Sequence, residues 1–572
     1  MKNILLKFGL PALTLFTFFF LLGNRPLNEP DEGRYSEIAR EMIETGGWLV
    51  PHFWYLPHLD KPPMTYWLVA ASMKIFGQNE WAVRLPVALA GVSGVWATFL
   101  LGCAMGGRRV GLWSALILQS ATLYLIQARM LTTDIFLTQF IAWAVYFFWR
   151  SWTAMGKGEF FAWHLAAWVA IAGGFLTKGP VALIIPVISF KALLIARRER
   201  ISKTVVGGLI AGFILFLILV APWFLAVFSR VPESAHYMIL GQAAGHFLGT
   251  TIKNRVGIPG YFIWILAGGL LPWSLLLGWL WRRTHWRSLE HAAKGGWLLL
   301  NVWAIFTFIL FSLSHAKLPA YILPIFPALA VMLAWRFFGG YRTEEAVPNI
   351  VWRIGLAISL LLPAILPLLV FLFLHETLPL WIKFQAPVVV ATLIVVFLQA
   401  RKWRPEKIAA CSVSFALLGF FISVAEFPLF DFNFKSNQPL NEIGNALREN
   451  YRPGDAIVCM GKFPQGLPFY SGGVILATNR AYFYSMDLKQ VPFEFPGNLE
   501  RLENDKLYLA DPDALLVLLN ENRGVFVLGF GTGVEMFQKK YGGPPLQVVA
   551  GSGQWVLYYS NHNHAPENGG NP

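Results

Sequence analysis

The chain has 572 residues, of which 56% are hydrophobic and 14% charged, with a formal net charge of +14 and a mean hydropathy of +0.52. That balance excludes an ordinary soluble protein of this length and puts most of the chain in lipid. The basic residues fall in short clusters between apolar runs, with no continuous stripe and no reading motif, which excludes a nucleic-acid binder.

In chain order, the apolar start Leu5–Leu22 is followed by no small-residue cleavage site and is expected to be retained as a first span. A crossing helix needs roughly 20 apolar residues, which gives about thirteen candidate spans. They lie near 4–23, 81–105, 109–127, 132–151, 161–177, 179–197, 204–228, 260–281, 296–313, 319–337, 352–374, 380–400 and 407–425. The run 64–76 is too short to cross. With a cytoplasmic N-terminus, one set of loops holds Arg108/Arg109, Arg150/Lys157, Arg197–Lys203, Arg282–Lys294, Arg342 and Arg401–Lys407. The short loops opposite hold essentially one cation each, Arg129, Lys178, Lys317 and Lys383, so the Lys/Arg bias orients the chain and leaves the C-terminus outside. That outer side also receives the long polar segments 24–80, 229–259 and 426–572. The last of these has strand-like runs at Asp455–Met460, Gly524–Leu528 and Trp555–Tyr559, and helix-like stretches at Leu440–Asn450 and Ala514–Asn520. The expected architecture is a polytopic α-helical membrane domain, 1–425, plus a C-terminal soluble α/β domain, 426–572. Cys103, Cys411 and Cys459 are far apart and form neither a disulfide framework nor a metal spacing.

Four polar constellations fall on the outer side. Asn28-Glu29-Pro30-Asp31-Glu32-Gly33-Arg34-Tyr35 opens a helical pattern (Tyr35, Ile38, Ala39, Met42, Ile43) ending at Gly46-Gly47, expected to lie along the membrane surface. Asp31 is either a first-turn acid beneath an Asn28 cap or a carboxylate that polarises an acceptor. His58-Leu59-Asp60-Lys61-Pro62-Pro63 holds a lysine before two prolines; its ammonium either snorkels or contacts phosphate. Asp60 is its neighbouring acid, with no second acid or histidine at ligand spacing to support a metal. Asp134, in Arg129-Met-Leu-Thr-Thr-Asp134, is either a helix cap or an ionisable group placed for function at membrane depth. Ser314-His-Ala-Lys317-Leu-Pro-Ala-Tyr321 sets one cation and one hydroxyl at the next helix start, as anchors or as phosphate donors. Lys178 and Lys253/Arg255 are further cations on this side. Two acids and several cations gathered on one face suit an anionic, lipid-linked substrate.

These motifs, in this order, resemble the lipid A aminoarabinose transferase group, membrane glycosyltransferases of the GT-C type related to protein O-mannosyltransferases. The resemblance covers nearly the whole chain. It implies a GT-C membrane protein of about thirteen helices that moves a sugar from undecaprenyl phosphate to an acceptor at the outer leaflet of the bacterial inner membrane. By motif, Asp31 and Asp134 match the two essential acids, and Arg34 matches the arginine that orients the first. Lys61 and Tyr321 match carrier-phosphate contacts, with Arg255, Lys317 and Lys178 as further ones. Asp60 stands where some members carry a metal-ligating glutamate; no cofactor is otherwise implied. The donor is expected to be 4-amino-4-deoxy-L-arabinose or a related sugar, and the acceptor lipid A or another envelope molecule. A related transferase for another glycolipid, lipopolysaccharide core or protein hydroxyl is the alternative. A transporter of lipid-linked sugar would instead place its ionisable residues near mid-membrane in broken helices.

Overall fold

Inside lipid every backbone N–H and C=O must be satisfied within its own segment, so apolar runs fold as helices. The computed structural model describes residues 8–197, 202–244, 257–281, 291–339, 347–374, 391–392, 394–426, 440–462, 464–472, 481–484, 495–521 and 523–560. Among them, five helices are long and apolar enough to cross a membrane: Glu80–Gly106, Lys157–Lys178, Lys203–Arg230, Lys294–Leu313 and Pro319–Phe338. A sixth crossing arises if Tyr261–Gly269 and Trp273–Leu280, bent by 113° at their break, count as one span.

Shorter apolar helices lie on three more of the expected spans, Leu10–Phe19, Val181–Ile195 and Asn349–Leu361. In the first candidate the described residues include the helix Leu10–Phe19. The candidate at 109–127 is interrupted at Ala121, whose extended backbone (φ −72°, ψ 124°) separates Arg108–Ser120 from Thr122–Gln127. The helix Thr133–Trp152 has the length but carries Asp134 and Arg150 in its end turns. The candidate at 380–400 lies largely outside the described residues.

The chain divides into two compact units. The first comprises Met1–Leu22, Arg84–Leu225 and Ala243–Phe430, and holds the crossing helices. Its helices approach closely where side chains are small, as expected when lipid supplies no hydrophobic drive between them. A Cβ at Gly102 would stand 2.8 Å from the Gly111 Cα. Buried Arg129 donates to the carbonyls of Thr17 (3.4 Å) and Phe18 (3.0 Å), satisfying acceptors at the end of the first helix.

The second unit comprises Gly23–Val83, Ala226–Gln242 and Asp431–Pro572. The first polar loop and part of the second therefore fold with the C-terminal segment, a grouping different from a single cut at 425/426. Its centre is a six-stranded sheet of β3 (Ala456–Met460), β4 (Ala481–Tyr484), β5 (Tyr508–Leu509), β6 (Val525–Phe530), β7 (Gln547–Ser552) and β8 (Trp555–Ser560), in the order β5-β4-β3-β6-β8-β7. β5, β4, β3 and β6 run parallel, whereas β8 is antiparallel to β6 and β7. β3 is buried along its whole length, as a parallel strand covered on both faces should be. Three of these strands and the helices Asn441–Asn450 and Pro512–Leu519 occupy positions expected from the sequence pattern.

The first loop contributes the helix Asp31–Thr45, closed by Gly46 in the left-handed region (φ +68°). A hairpin follows, β1 (His52–Phe53) and β2 (Leu56–Pro57). Its turn residues Trp54 and Tyr55 both have positive φ (52° and 58°), a strained choice for non-glycine residues. Contacts offset it: the Tyr55 N–H and hydroxyl donate to Glu41 (3.0 Å) and Glu44 (2.6 Å), and Trp54 packs 5.5 Å from the Phe483 ring. Within the unit the helix Asp31–Thr45, expected to lie along the membrane surface, buries Glu32, Glu37, Arg40 and Glu41. Arg25 pairs with Glu32 and Arg40 with Glu37, each at 2.7 Å, while Glu41 accepts the Tyr55 N–H.

Candidate active site

In the second unit the motif residues form a connected network around the first turn of the helix Asp31–Thr45. Pro30 is the cap residue, and Asn28 acts through its backbone: its carbonyl accepts from Gly33 N–H (3.2 Å) and its N–H donates to Glu32 Oε2 (2.9 Å). Asp31 is thereby released from capping. Its carboxylate, 44% exposed, pairs with the buried Arg34 guanidinium one turn on, which also lies 5.4 Å from the Tyr35 ring centre. A half-exposed acid fixed by a buried cation presents one oxygen to the outside in a set orientation.

Lys61 and Asp60 sit just before the helix Met64–Phe76. The Lys61 ammonium donates to the Asp60 carbonyl (2.9 Å), and the Asp60 carboxylate accepts the Tyr237 hydroxyl (2.6 Å). Tyr237 arrives from 177 residues away, and no short motif marks it. Among the described residues no group of three His, Cys, Asp or Glu is placed to hold a metal ion.

In the first unit Asp134 is not the helix cap; that position is Thr132. Its buried carboxylate forms an ion pair with Lys178, whose side chain is 11% exposed. The Lys178 ammonium also lies 4.2 Å from the Tyr321 ring centre, a cation–π distance. Tyr321 belongs to a 3-10 turn, Pro319–Ile325. An acid, a cation and a phenol from three separate helices thus form one cluster. Lys317 serves a different end: its ammonium donates to the carbonyls of Ser312 (2.9 Å) and Ser314 (2.6 Å), closing the C-terminus of the helix His291–Leu313. Arg255 lies outside the described residues.

Glu29 is a residue the sequence reading passed over. Its buried carboxylate accepts the backbone N–H groups of Gln465 (2.9 Å) and Gly466 (2.7 Å). Burial pushes its pKa up to about 8; the two N–H donors and Arg34 pull the other way without overcoming it. Burial also raises Glu41, reinforced by neighbouring Glu37. An acid whose folded pKa is raised binds more protons folded than unfolded, so its contribution is full below the unfolded value near 4.5 and is lost as pH rises through about 8. The thermal midpoint of the purified protein is therefore expected to fall between pH 5 and 8.5, and Glu29→Gln to flatten that slope. An unchanged slope in the variant contradicts the assignment.

Residues 60–225 match the family model described as dolichyl-phosphate-mannose-protein mannosyltransferase. The undecaprenyl phosphate-alpha-4-amino-4-deoxy-L-arabinose arabinosyl transferase of Edwardsiella ictaluri is 35% identical over 341 residues, 58% of this chain and 60% of that protein. The chain thus matches about three-fifths of the length of such curated relatives. The crystal structure of ArnT from Cupriavidus metallidurans bound to undecaprenyl phosphate superposes with a TM-score of 0.77 at 23% identity, covering 98% of each chain. The archaeal oligosaccharyltransferase AglB from Archaeoglobus fulgidus gives a TM-score of 0.50 at 12% identity, covering 98% of this chain and 74% of that one. The chain is a polytopic membrane protein with the GT-C-type fold of ArnT, and in sequence it resembles the aminoarabinose transferases.

Proposed function

We propose that the protein is an integral-membrane glycosyltransferase that moves 4-amino-4-deoxy-L-arabinose, or a closely related sugar, from undecaprenyl phosphate to lipid A or another envelope acceptor. The observation that carries this reading is that both motif acids are held by cations rather than spent as helix caps: Asp31 by Arg34, and Asp134 by Lys178 beside Tyr321. The similarity to proteins that bear this activity in their names supports the choice of donor. The setting is the bacterial inner membrane, with the N-terminus cytoplasmic and both the chemistry and the C-terminal segment periplasmic, following the Lys/Arg bias of the loops.

The reaction is a single displacement with inversion. The acceptor oxygen bonds the anomeric carbon as that carbon's bond to the carrier phosphate breaks, and the phosphate leaves with the electron pair. Lys61, Tyr321 and Lys178 act on the charge growing on the phosphate, where fixed cationic donors near lipid act more strongly than in water. Arg255 is assigned a supporting contact by its motif, whereas Lys317 is committed to the carbonyls of Ser312 and Ser314. A lipid A phosphate is already nucleophilic, so Asp31 orients it; a hydroxyl acceptor has to lose its proton, and Asp31 is then the base.

The deciding experiment gives the purified protein undecaprenyl-phosphate-linked aminoarabinose and lipid A, and reads both by mass spectrometry. Lipid A gaining one aminoarabinose while the carrier is released as undecaprenyl phosphate is the expected result. An intact donor, with turnover of a different polyprenyl-phosphate sugar, would overturn the assignment of the sugar.

A further inference from the structure

The C-terminal segment reaches the catalytic loop at one point with unusual closeness. Both oxygens of the Glu29 carboxylate are taken by consecutive backbone N–H groups, Oε2 by Gln465 and Oε1 by Gly466. One turn further on, Gly33 abuts the same segment: a Cβ there would stand 2.7 Å from the Gly466 nitrogen and 2.2 Å from Glu29 Oε1. A Cβ on Gly466 would stand 2.4 Å from Glu29 Oε1 and 3.1 Å from the Gly33 Cα. Two glycines therefore permit an approach that no side chain would. The loop is tied again nearby, where the Leu27 N–H donates to the Tyr470 hydroxyl (2.7 Å) and Tyr470 donates to Glu80 (3.1 Å).

These ties bracket Asp31 in sequence, with Glu29 two residues before it and Gly33 between it and Arg34. Glu29 itself is buried and its oxygens are occupied, so it is not placed to act on a substrate.

We infer that Glu29, clasped by the Gln465–Gly466 backbone, is a positioning residue that sets the orientation of the Asp31–Arg34 pair, making the C-terminal segment part of the catalytic apparatus. This rests on the transferase reading for its kinetic consequence, but the placement itself can be read without any substrate. A side chain whose two oxygens each take one backbone N–H fixes both the distance and the rotation of the helix start, which one hydrogen bond would not. Displacing a reacting group by about 1 Å costs on the order of 10²-fold in rate.

The test uses full-length protein carrying Glu29→Gln or Gly466→Ala, which disturb the clasp from opposite sides. Asp31 is labelled with a carbodiimide and its rate read by mass spectrometry, with exposed Asp513 as the internal standard; kcat and donor KM are measured in parallel. Labelling of Asp31 is expected to change at least about threefold in both variants, with kcat down at least about tenfold and KM within about twofold. Unchanged Asp31 labelling in both variants overturns the clasp, whatever the activity and the thermal midpoint do. Changed labelling with wild-type kcat overturns its part in the reaction. Wild-type protein that transfers no sugar, yet shows the labelling change in its variants, refutes the transferase reading and leaves the clasp standing.

Discussion

Asp31→Asn is expected to lower sugar transfer about 10²–10⁴-fold while the protein inserts and purifies as the wild type does. The fold should tolerate it, because Asp31 is half-exposed and asparagine retains an oxygen that can accept from Arg34. What is lost is the charge. The size of the loss reports on the acceptor: a hydroxyl acceptor deprives the reaction of its base and gives the larger fall, whereas a phosphate acceptor loses only orientation and gives the smaller. Lys61→Ala should fall comparably, because the motif assigns its ammonium, which donates to the Asp60 carbonyl, to the charge on the carrier phosphate. Wild-type turnover by both variants, measured in membranes with the aminoarabinose donor, would remove these two residues from the mechanism.

Local features of the fold could be read from the chain. Gly46 closes the helix that Asp31 opens, and β3, β6 and β8 lie on the apolar runs that suggested them. The apolar runs marked where helices lie, but a hydropathy window does not see a backbone break. The kink at Leu271-Pro272 was visible as a proline inside an apolar run, but the extended residue Ala121 carries no such mark. At the site, the acids and cations were legible as types, but their partners were not. Lys178 lies 44 residues from Asp134, Tyr237 lies 177 from Asp60, and Gln465 lies 436 from Glu29. Pairings at such separations leave no periodicity to detect. Glu29 was hidden for a further reason: in a run of three acids, the two that are buried look in sequence like Asp31, the one that is half-exposed.

The Asp134–Lys178 pair offers the sharpest separation of structure from chemistry. Both side chains are about nine-tenths buried, so removing one strands the other's charge, at a cost of about 3–5 kcal/mol. Asp134→Asn and Lys178→Met are each expected to lower the thermal midpoint and to abolish transfer, and neither result alone assigns a role. The double variant Asp134→Asn/Lys178→Met removes both charges and should recover most of the stability, because no unpaired ion remains in the interior. If the pair only supports the fold, turnover returns with stability. The chemistry predicts the opposite: a refolded, stable double variant in which Tyr321 has lost its neighbouring cation and the carrier phosphate has lost a donor, with transfer still down by about 10²-fold or more. Recovery of wild-type kcat by the double variant would reduce Asp134 and Lys178 to a structural pair and leave the chemistry to the Asp31 cluster.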